Sequence, residues 1–418
     1  MSNEVKEGYK KTAIGIIPED WEISSIEEIG EVTGGSTPRR TNPEYWGGDI
    51  PWLTLSQISD ELINTISETE EYRTEAGLEN SSAKLLPKGT VMLSSRATIG
   101  ECLINEVPMT TNQGFANIIC DKEKVDNYFL MYLLRYNKPR LEILGAGSTF
   151  SEVSRTSVRS FNVPVLPLPE QKKIADILSS VDQAIEKTGQ IIAKTKELKQ
   201  GLMQELLTKG IGHDEFKEVR IGVKKLEIPI NWEVANFGDI YIKRNERSKT
   251  EEEYNYVSLG HMETGNLKLM GKDNNGQNRS SNRVFKEGDV LYGKLRPYLR
   301  KGAIAEFEGI CSTDIIPLYS TDKSINEYLI YVVHSKYFVD FAISTMEGTN
   351  LPRTSWSDIK KLNIPIPPLE EQKKIANILS SVDSKIQKKQ EQKEKLEELK
   401  KGLMQKLLTG EVRVDVEE

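Results

Sequence analysis

The chain has 418 residues, of which 37% are apolar and 28% charged, a length and balance that suit two to four domains with buried cores. It has no run of about 18 apolar residues, which excludes a membrane-spanning helix, and its formal net charge of −7 argues against bulk positive charge as a means of holding nucleic acid. Three cysteines (Cys102, Cys120, Cys311) and three histidines (His213, His261, His334) lie far apart in sequence, so neither a disulfide framework nor a metal site is expected, and the cysteine usage fits a reducing cytoplasm.

The chain opens with a polar stretch, Met1 to Lys11, that lacks the apolar run of a signal peptide. Residues 1–165 form the first expected domain and carry 16 basic and 24 acidic groups. A segment this acidic should grip DNA poorly by itself, so either its cations gather on one face or a partner supplies much of the grip. The segment begins with Ile17-Pro18-Glu19-Asp20-Trp21-Glu22. A loop, Gly34-Gly35-Ser36-Thr37-Pro38, then presents Arg39 and Arg40, residue types that reach phosphates or guanine edges. Short β-type runs follow at Val91-Met92-Leu93 and Asn117-Ile118-Ile119-Cys120, with Ser95 and Arg96 in the turn after the first. A helix is expected over Asp126–Tyr136 and a closing strand over Phe161 to Val165.

Residues 166–211 read as one long helix. Pro167 and Pro169 mark its start and Gly210 its end. Ile174, Leu178, Val181 and Ile185 follow the four-three-four spacing of a coiled-coil seam. Thr188, Ile192 and Thr195 continue the seam weakly, and Leu198, Leu202 and Leu206 resume it one residue out of step. Some 39 residues at ~1.5 Å each make a rod of roughly 58 Å.

Residues 212–365 form a second domain. It opens with Ile228-Pro229-Ile230-Asn231-Trp232-Glu233, like the first, and ends with a strand over Leu362 to Ile366. Between them lie β-type runs at Tyr256-Val257-Ser258-Leu259 and Val290-Leu291-Tyr292, and a helix is expected over Ile325–Phe341. Residues 243–301 hold 13 basic and 8 acidic groups, the most basic local stretch of the chain. Lys294, Arg296, Arg300 and Lys301 fall within it, and Gly293-Lys294-Leu295-Arg296 corresponds in place to Ser94-Ser95-Arg96. Any one of these arginines is as readily part of a solvated charged face; taken as a group, DNA contact is the better reading.

Residues 366–410 form a second long helix, after Pro367 and Pro368 and before Gly410, with a seam of Ile375, Leu379, Val382 and Ile386 and a polar middle from Lys388 to Lys395. A tail of residues 411–418 follows. Glu170 to Asp182 recurs as Glu371 to Asp383 with twelve of thirteen positions identical, at an offset of 201. The same offset carries Gly201-Leu202-Met203-Gln204 onto Gly402-Leu403-Met404-Gln405, and Leu206-Leu207-Thr208 onto Leu407-Leu408-Thr409. The chain is therefore a duplication, ordered domain, rod, domain, rod. A domain of about 155 residues has a radius of gyration near 15 Å and can hardly carry the chain back along a whole rod, so antiparallel rods are expected. The expected fold is α+β: two domains joined and separated by two long antiparallel coiled-coil helices, with pseudo-two-fold symmetry.

Catalytic chemistry finds little support. Asn42-Pro43-Glu44-Tyr45 only superficially matches the Asn-Pro-Pro-Tyr/Phe motif of amino-methyltransferases, since it lacks the second proline and no glycine-rich cofactor loop precedes it. Gly145-Ala146-Gly147-Ser148 has no Walker lysine and reads as a turn. The five tryptophans (Trp21, Trp46, Trp52, Trp232, Trp356) read as core residues.

The helix openings, Pro-x-Pro…Glu-Gln-x-x-Ile in form, resemble those of Type I restriction–modification specificity subunits, and the resemblance covers essentially the whole chain. Tyr45-Trp46-Gly47-Gly48-Asp49-Ile50-Pro51-Trp52, Thr111-Asn112-Gln113-Gly114-Phe115, Tyr292 to Leu299 and Gly348-Thr349-Asn350-Leu351-Pro352-Arg353 resemble the same family. The resemblance implies a cytoplasmic, non-catalytic subunit with two target-recognition domains, each reading half of a split site in double-stranded DNA. It further implies that the helices dock two methyltransferase subunits and, through that complex, the restriction and motor subunits. S-adenosylmethionine, ATP and magnesium would belong to those partners, with no cofactor in this chain. Because the two domains differ in sequence, the half-sites should differ too. The competing reading is a duplicated coiled-coil adaptor that binds proteins only, which the acidic first domain favours.

Overall fold

The computed structural model describes residues 6–58, 64–146, 152–222, 224–248, 254–274 and 282–416. They divide into two compact units, one of residues 1–189 with 391–418 and the other of residues 190–390. Two long helices, Leu168–Leu206 and Leu369–Leu408, each pass from one unit into the other. Each unit thus holds a sheet-bearing domain and a half of each helix. Pro169 lies in the first turn of its helix, where a missing N–H costs nothing. Gly210 and Gly410, just beyond the helix ends, have φ of +67° and +73°, the left-handed geometry that closes a helix.

In the first unit a hairpin, Tyr9–Thr12 with Gly15–Pro18, leads into the strand Glu22–Ser25, which pairs antiparallel with Asn162–Val165 and so ties the start of the domain to its end. A five-stranded sheet runs in the order Gly30–Gly34, Phe115–Cys120, Val91–Ser94, Cys102–Asn105, Thr65–Ile66; a three-stranded sheet runs Thr110–Thr111, Trp46–Leu53, Glu71–Arg73. The helix Asn127–Tyr136 is capped by Asp126, whose carboxylate accepts from the Phe129 N–H at 3.0 Å. It buries Phe129 to Leu134 in a core shared with Trp21, Val91 and Ile118. Ile174 and Leu178 of the first long helix and Leu407 and Leu408 of the second complete that core. Further along, Asp182 meets Lys400. Rising numbers on one helix meet falling numbers on the other, so the helices run antiparallel here.

The second unit repeats the plan. Phe216–Ile221 pairs with Lys224–Pro229, and Glu233–Asn236 with Asn363–Ile366. One four-stranded sheet runs Tyr241–Lys243, Ile315–Ser320, Val290–Gly293, Gly302–Ile304; another runs Asp273–Asn274, Asn255–Val257, Gly309–Cys311, Arg283–Phe285. Its core joins Trp232, Phe237, Tyr328 and Phe338 to Leu206, Ile375 and Leu379 of the long helices and to Leu207 just beyond the first. Lys199 meets Asp383, and the helices are again antiparallel.

Two expectations are corrected. The helix expected over Ile325–Phe341 is two helices, Asn326–His334 and Lys336–Ser344. Ser335 is extended between them, and its hydroxyl caps the second by accepting from the Phe338 N–H at 3.3 Å; a serine offers this local alternative to a continuing helix. The seam does not resume at Leu198, which is 56% exposed. The neighbouring position faces the partner helix instead and belongs to Lys199. Thr188, Ile192 and Thr195 carry the seam and are all buried. The two threonine hydroxyls donate to carbonyls four residues back, Ala184 O and Ile191 O, at 2.7 Å each, which removes the cost of burying them.

Of the other seam positions, Ile174, Leu178, Ile185, Ile375 and Leu379 are buried, and Val181, Val382 and Ile386 are half-buried. Trp21, Trp52 and Trp232 are core residues, whereas Trp46 and Trp356 are half-buried. Gly145 ends the helix Lys138–Gly145; Gly147 and Ser148 lie outside the described residues. Asn42 caps a single 3₁₀ turn, accepting from the Glu44 N–H at 3.2 Å, a structural use of the motif. Among the described residues no helix is long and apolar enough to cross a membrane.

Candidate nucleic-acid interface

In each domain the loops that carry the basic candidates converge through backbone pairing. In the first domain, Ser36 N donates to Thr111 O at 2.9 Å, Ser95 N to Gly114 O at 2.9 Å and Val153 N to Ser95 O at 2.9 Å. The Thr37 hydroxyl adds a 2.6 Å bond to Gln113. Four segments distant in sequence, near residues 34–40, 94–100, 111–115 and 152–155, thereby form one cluster. Gly35 is required there, because a Cβ would collide with the Asn112 carbonyl.

The second domain builds the same cluster from different residues. Lys294 N donates to Asp314 O at 2.9 Å, Arg296 N to Pro352 O at 2.8 Å and Thr354 N to Lys294 O at 3.1 Å. The turn after the strand Val290–Gly293 therefore sits against Gly348 to Arg353, two stretches 50-odd residues apart that the family resemblance had singled out separately. Arg96↔Glu152 and Leu295↔Arg353 are isolated antiparallel bridges at matching places in the two domains. Ala97 and Arg296 hold matching left-handed positions, with φ of +55° and +50°, and Arg300 has φ of +47°. Such geometry costs a residue with a side chain about 1–2 kcal/mol, so the second domain spends backbone strain on where two of its arginines stand.

The candidate side chains sort by what they already hold. Arg40 pairs through both guanidinium nitrogens with Glu71 and lies over the rings of Trp46 and Trp52, 4.2 and 4.7 Å from their centroids. The hydrogen-bonded carboxylate raises the Arg40 pKa and the guanidinium lowers that of Glu71. Ser95 is 4% exposed and its hydroxyl donates to Gly114 O at 3.0 Å. Arg96 pairs with Glu152 at 2.8 Å, and Lys301 donates to Leu259 O at 2.8 Å. These four hold loops in place. Arg39 is exposed and, among the described residues, has no ion-pair partner; its carbonyl is held by the Trp46 indole N–H at 3.4 Å. Arg296 is likewise exposed, with one long contact to Asn350 O at 3.5 Å. Lys294 and Arg300 are half-buried and have no ion-pair partner among the described residues.

Several residues that sequence reasoning passed over belong to these clusters. Arg155 stacks against Gly34, where a Cβ would lie 2.9 Å from its Nη1. Arg73 is fully buried without a carboxylate, donating to Ser36 O and, at 3.2 Å, to Ser81; burial and the neighbouring Arg40 lower its pKa to about 10, which leaves it charged. In the second domain burial lowers the pKa of Lys243, and Arg283, Lys294 and Lys360 lower it further by repulsion. None of those four has an ion-pair partner among the described residues. Arg244 and Arg353, by contrast, are forked onto Asp289 (2.6 and 2.7 Å) and Asp314 (2.7 and 3.2 Å). The four cations come from residues 243, 283, 294 and 360, too far apart in sequence for any local pattern to connect them; the tertiary fold brings the other three near Lys243.

The arrangement suits an extended polyanion: preorganised loops, arginines held at their bases, and cations without carboxylate partners. Among the described residues no group of His, Cys, Asp and Glu could hold a metal ion.

Comparison with known proteins agrees with this architecture. Residues 18–197 and 229–398 each match the family described as the Type I restriction modification DNA specificity domain. The Type I restriction enzyme MjaIX specificity subunit of Methanocaldococcus jannaschii is 31% identical over 430 aligned positions, covering 97% of each chain. In fold, the S subunit of a Type I restriction–modification system from M. genitalium superposes with a TM-score of 0.58 at 14% identity, covering 95% of this chain and 97% of that one. A chain from a structural study of assembly and conformational transition in the type I system also reaches 0.58, at 17% identity and covering 95% of this chain and 99% of that one. Two recognition domains on a duplicated pair of long antiparallel helices, matched to the family in both halves, place this chain in the Type I restriction–modification DNA specificity family, as a non-catalytic specificity subunit.

Proposed function

We propose that each recognition domain reads one half of an asymmetric, bipartite site in double-stranded DNA through its loop cluster, while the long helices set the gap between the halves. The observation that carries this reading is the repetition of one loop scaffold with different side chains on it: Arg39 and Arg155 in the first domain, Lys243, Arg283, Lys294, Arg296, Arg300 and Lys360 in the second. A common scaffold with unlike contacts suits two unlike half-sites. Arg40, Ser95, Arg96 and Lys301 support those contacts by fixing the loops.

The near-identical helix openings, preserved while the domains diverged, favour two copies of one partner, which we take to be methyltransferase subunits; restriction and motor subunits would join through them. S-adenosylmethionine, ATP and magnesium would then act in the partners, in the cytoplasm, with this chain carrying no cofactor of its own.

The first domain carries 24 acidic groups against 16 basic ones, a net negative charge that opposes binding to phosphates. The isolated chain should therefore bind DNA weakly, and the assembled complex tightly and with sequence preference. Fluorescence anisotropy with and without the methyltransferase partner, across a salt series, tests this. Nanomolar, sequence-specific binding by the isolated chain at physiological salt would overturn the division of labour. Salt-insensitive or absent binding by the complex would overturn the DNA reading itself.

A further inference from the structure

Each unit contains a buried or half-buried charged pair inside the helix seam, and these two pairs are related by the duplication. In the first unit Lys400 meets Asp182 at 2.6 Å, with side chains only 6% and 7% exposed. The other Asp182 oxygen accepts from the Tyr132 hydroxyl at 2.7 Å and the Asn64 amide at 2.7 Å. In the second unit Lys199 meets Asp383 at 2.5 Å, and Asp383 accepts from the Tyr331 hydroxyl at 3.0 Å. In both, the ammonium also lies over the tyrosine ring, 5.5 Å from the centroid of Tyr132 and 5.8 Å from that of Tyr331. Tyr132 and Tyr331 stand on helices of the recognition domains, Asn127–Tyr136 and Asn326–His334. One carboxylate in each unit therefore ties together one long helix, the other long helix and the recognition domain.

The apolar seam alone specifies register poorly. Its isoleucines and leucines are interchangeable, a slip of one heptad preserves their spacing, and the middle of the second helix is nearly all polar. A slipped register would leave a buried lysine or aspartate without its partner, which is far more costly than exchanging one aliphatic contact for another. Burial disfavours the charge on Lys400 and lowers its pKa, and Asp182 offsets only part of that effect. The tyrosine bond extends this selection from the helix pair to the seating of the domain upon it.

We infer that the two Lys–Asp–Tyr clusters, Lys400–Asp182–Tyr132 and Lys199–Asp383–Tyr331, are specificity-determining positioning residues: they fix how each recognition domain is seated on its helices, and through that the gap a DNA target must have between its half-sites. The inference rests on the bipartite reading above. None of these residues stands in the loop clusters that would touch DNA.

The test compares the wild-type complex with one carrying Asp182→Asn together with Lys400→Met, by mapping methylated sites across the genome of cells that express each. The double change removes both buried charges while leaving an amide oxygen to accept from Tyr132. The half-site sequences should stay the same, while sites with gaps other than the wild-type length become methylated at least about tenfold more often than in wild type. If this variant fails to assemble, Lys199→Met with Asp383→Asn gives the same readout at the shallower pair, whose side chains are 12% and 27% exposed. A single, unchanged gap length at wild-type methylation levels would reduce the clusters to simple stabilisers and overturn the inference. So would loss of methylation at every gap length in a folded, assembled variant. If the wild-type complex itself yields no bipartite motif, the reading beneath the inference fails instead.

Discussion

Arg39 and Arg40 are adjacent and chemically identical but stand in opposite settings. Arg40 is spent on Glu71 and two indole rings, whereas Arg39 is exposed beside it. Arg40→Ala removes a solvent-screened ion pair and two cation–π contacts, together about 1–2 kcal/mol. It should lower the melting temperature by roughly 2–8 °C for a unit of this size. Arg39→Ala should leave melting unchanged and weaken DNA binding by the complex; calorimetry beside anisotropy separates the two, and the reverse pattern would exchange their roles. In the second domain, Arg296→Ala should weaken one half-site only. A bidentate guanine contact would cost about 1–3 kcal/mol at one base pair, a phosphate contact about the same for every sequence. No change in either assay would leave Arg296 a structural residue held at positive φ. The choice between Arg39 and Arg40 was invisible in sequence because it depends on Glu71, Trp46 and Trp52, none of which adjoins the pair. Arg296 was visible because a basic turn after a strand is a local pattern.

The long helices were legible because their signals are local: prolines at the start, glycine at the end and an apolar repeat of three and four. Their antiparallel course followed from chain length alone. Lys199 and Lys400 were not legible as seam residues, because a lysine in a polar run reads as solvated until its partner aspartate, on the other helix, is known. The loop clusters were equally hidden. They depend on bridges such as Leu295↔Arg353, which no periodicity announces. If the helices set the gap between half-sites, that gap can be reset. Seven residues inserted after Thr188, with seven matched near Lys389, keep the seam in phase and leave Asp182–Lys400 and Lys199–Asp383 each on its own side of the insertion. The addition of about 10.5 Å corresponds to roughly three base pairs at ~3.4 Å each. Methylated-site mapping should show the same half-sites with a gap longer by about that amount. An unchanged gap with full activity would mean that the partners, not the helices, position the domains.

Across the whole chain, duplication explains both what is kept and what differs. Helix openings, closing strands, hairpins and the Lys–Asp–Tyr clusters recur at matching places, and each half belongs to the same specificity family. The side chains on the loop clusters differ: the first domain sets Arg39 and Arg155 there, while the second gathers Lys243, Arg283, Lys294 and Lys360. Two different readers thus stand on one repeated frame. Sequencing that detects methylated bases in cells expressing this chain with its methyltransferase tests it most directly. The expected result is one motif made of two unlike half-sites separated by a non-specific gap of fixed length. A continuous motif, or two identical half-sites, would contradict it.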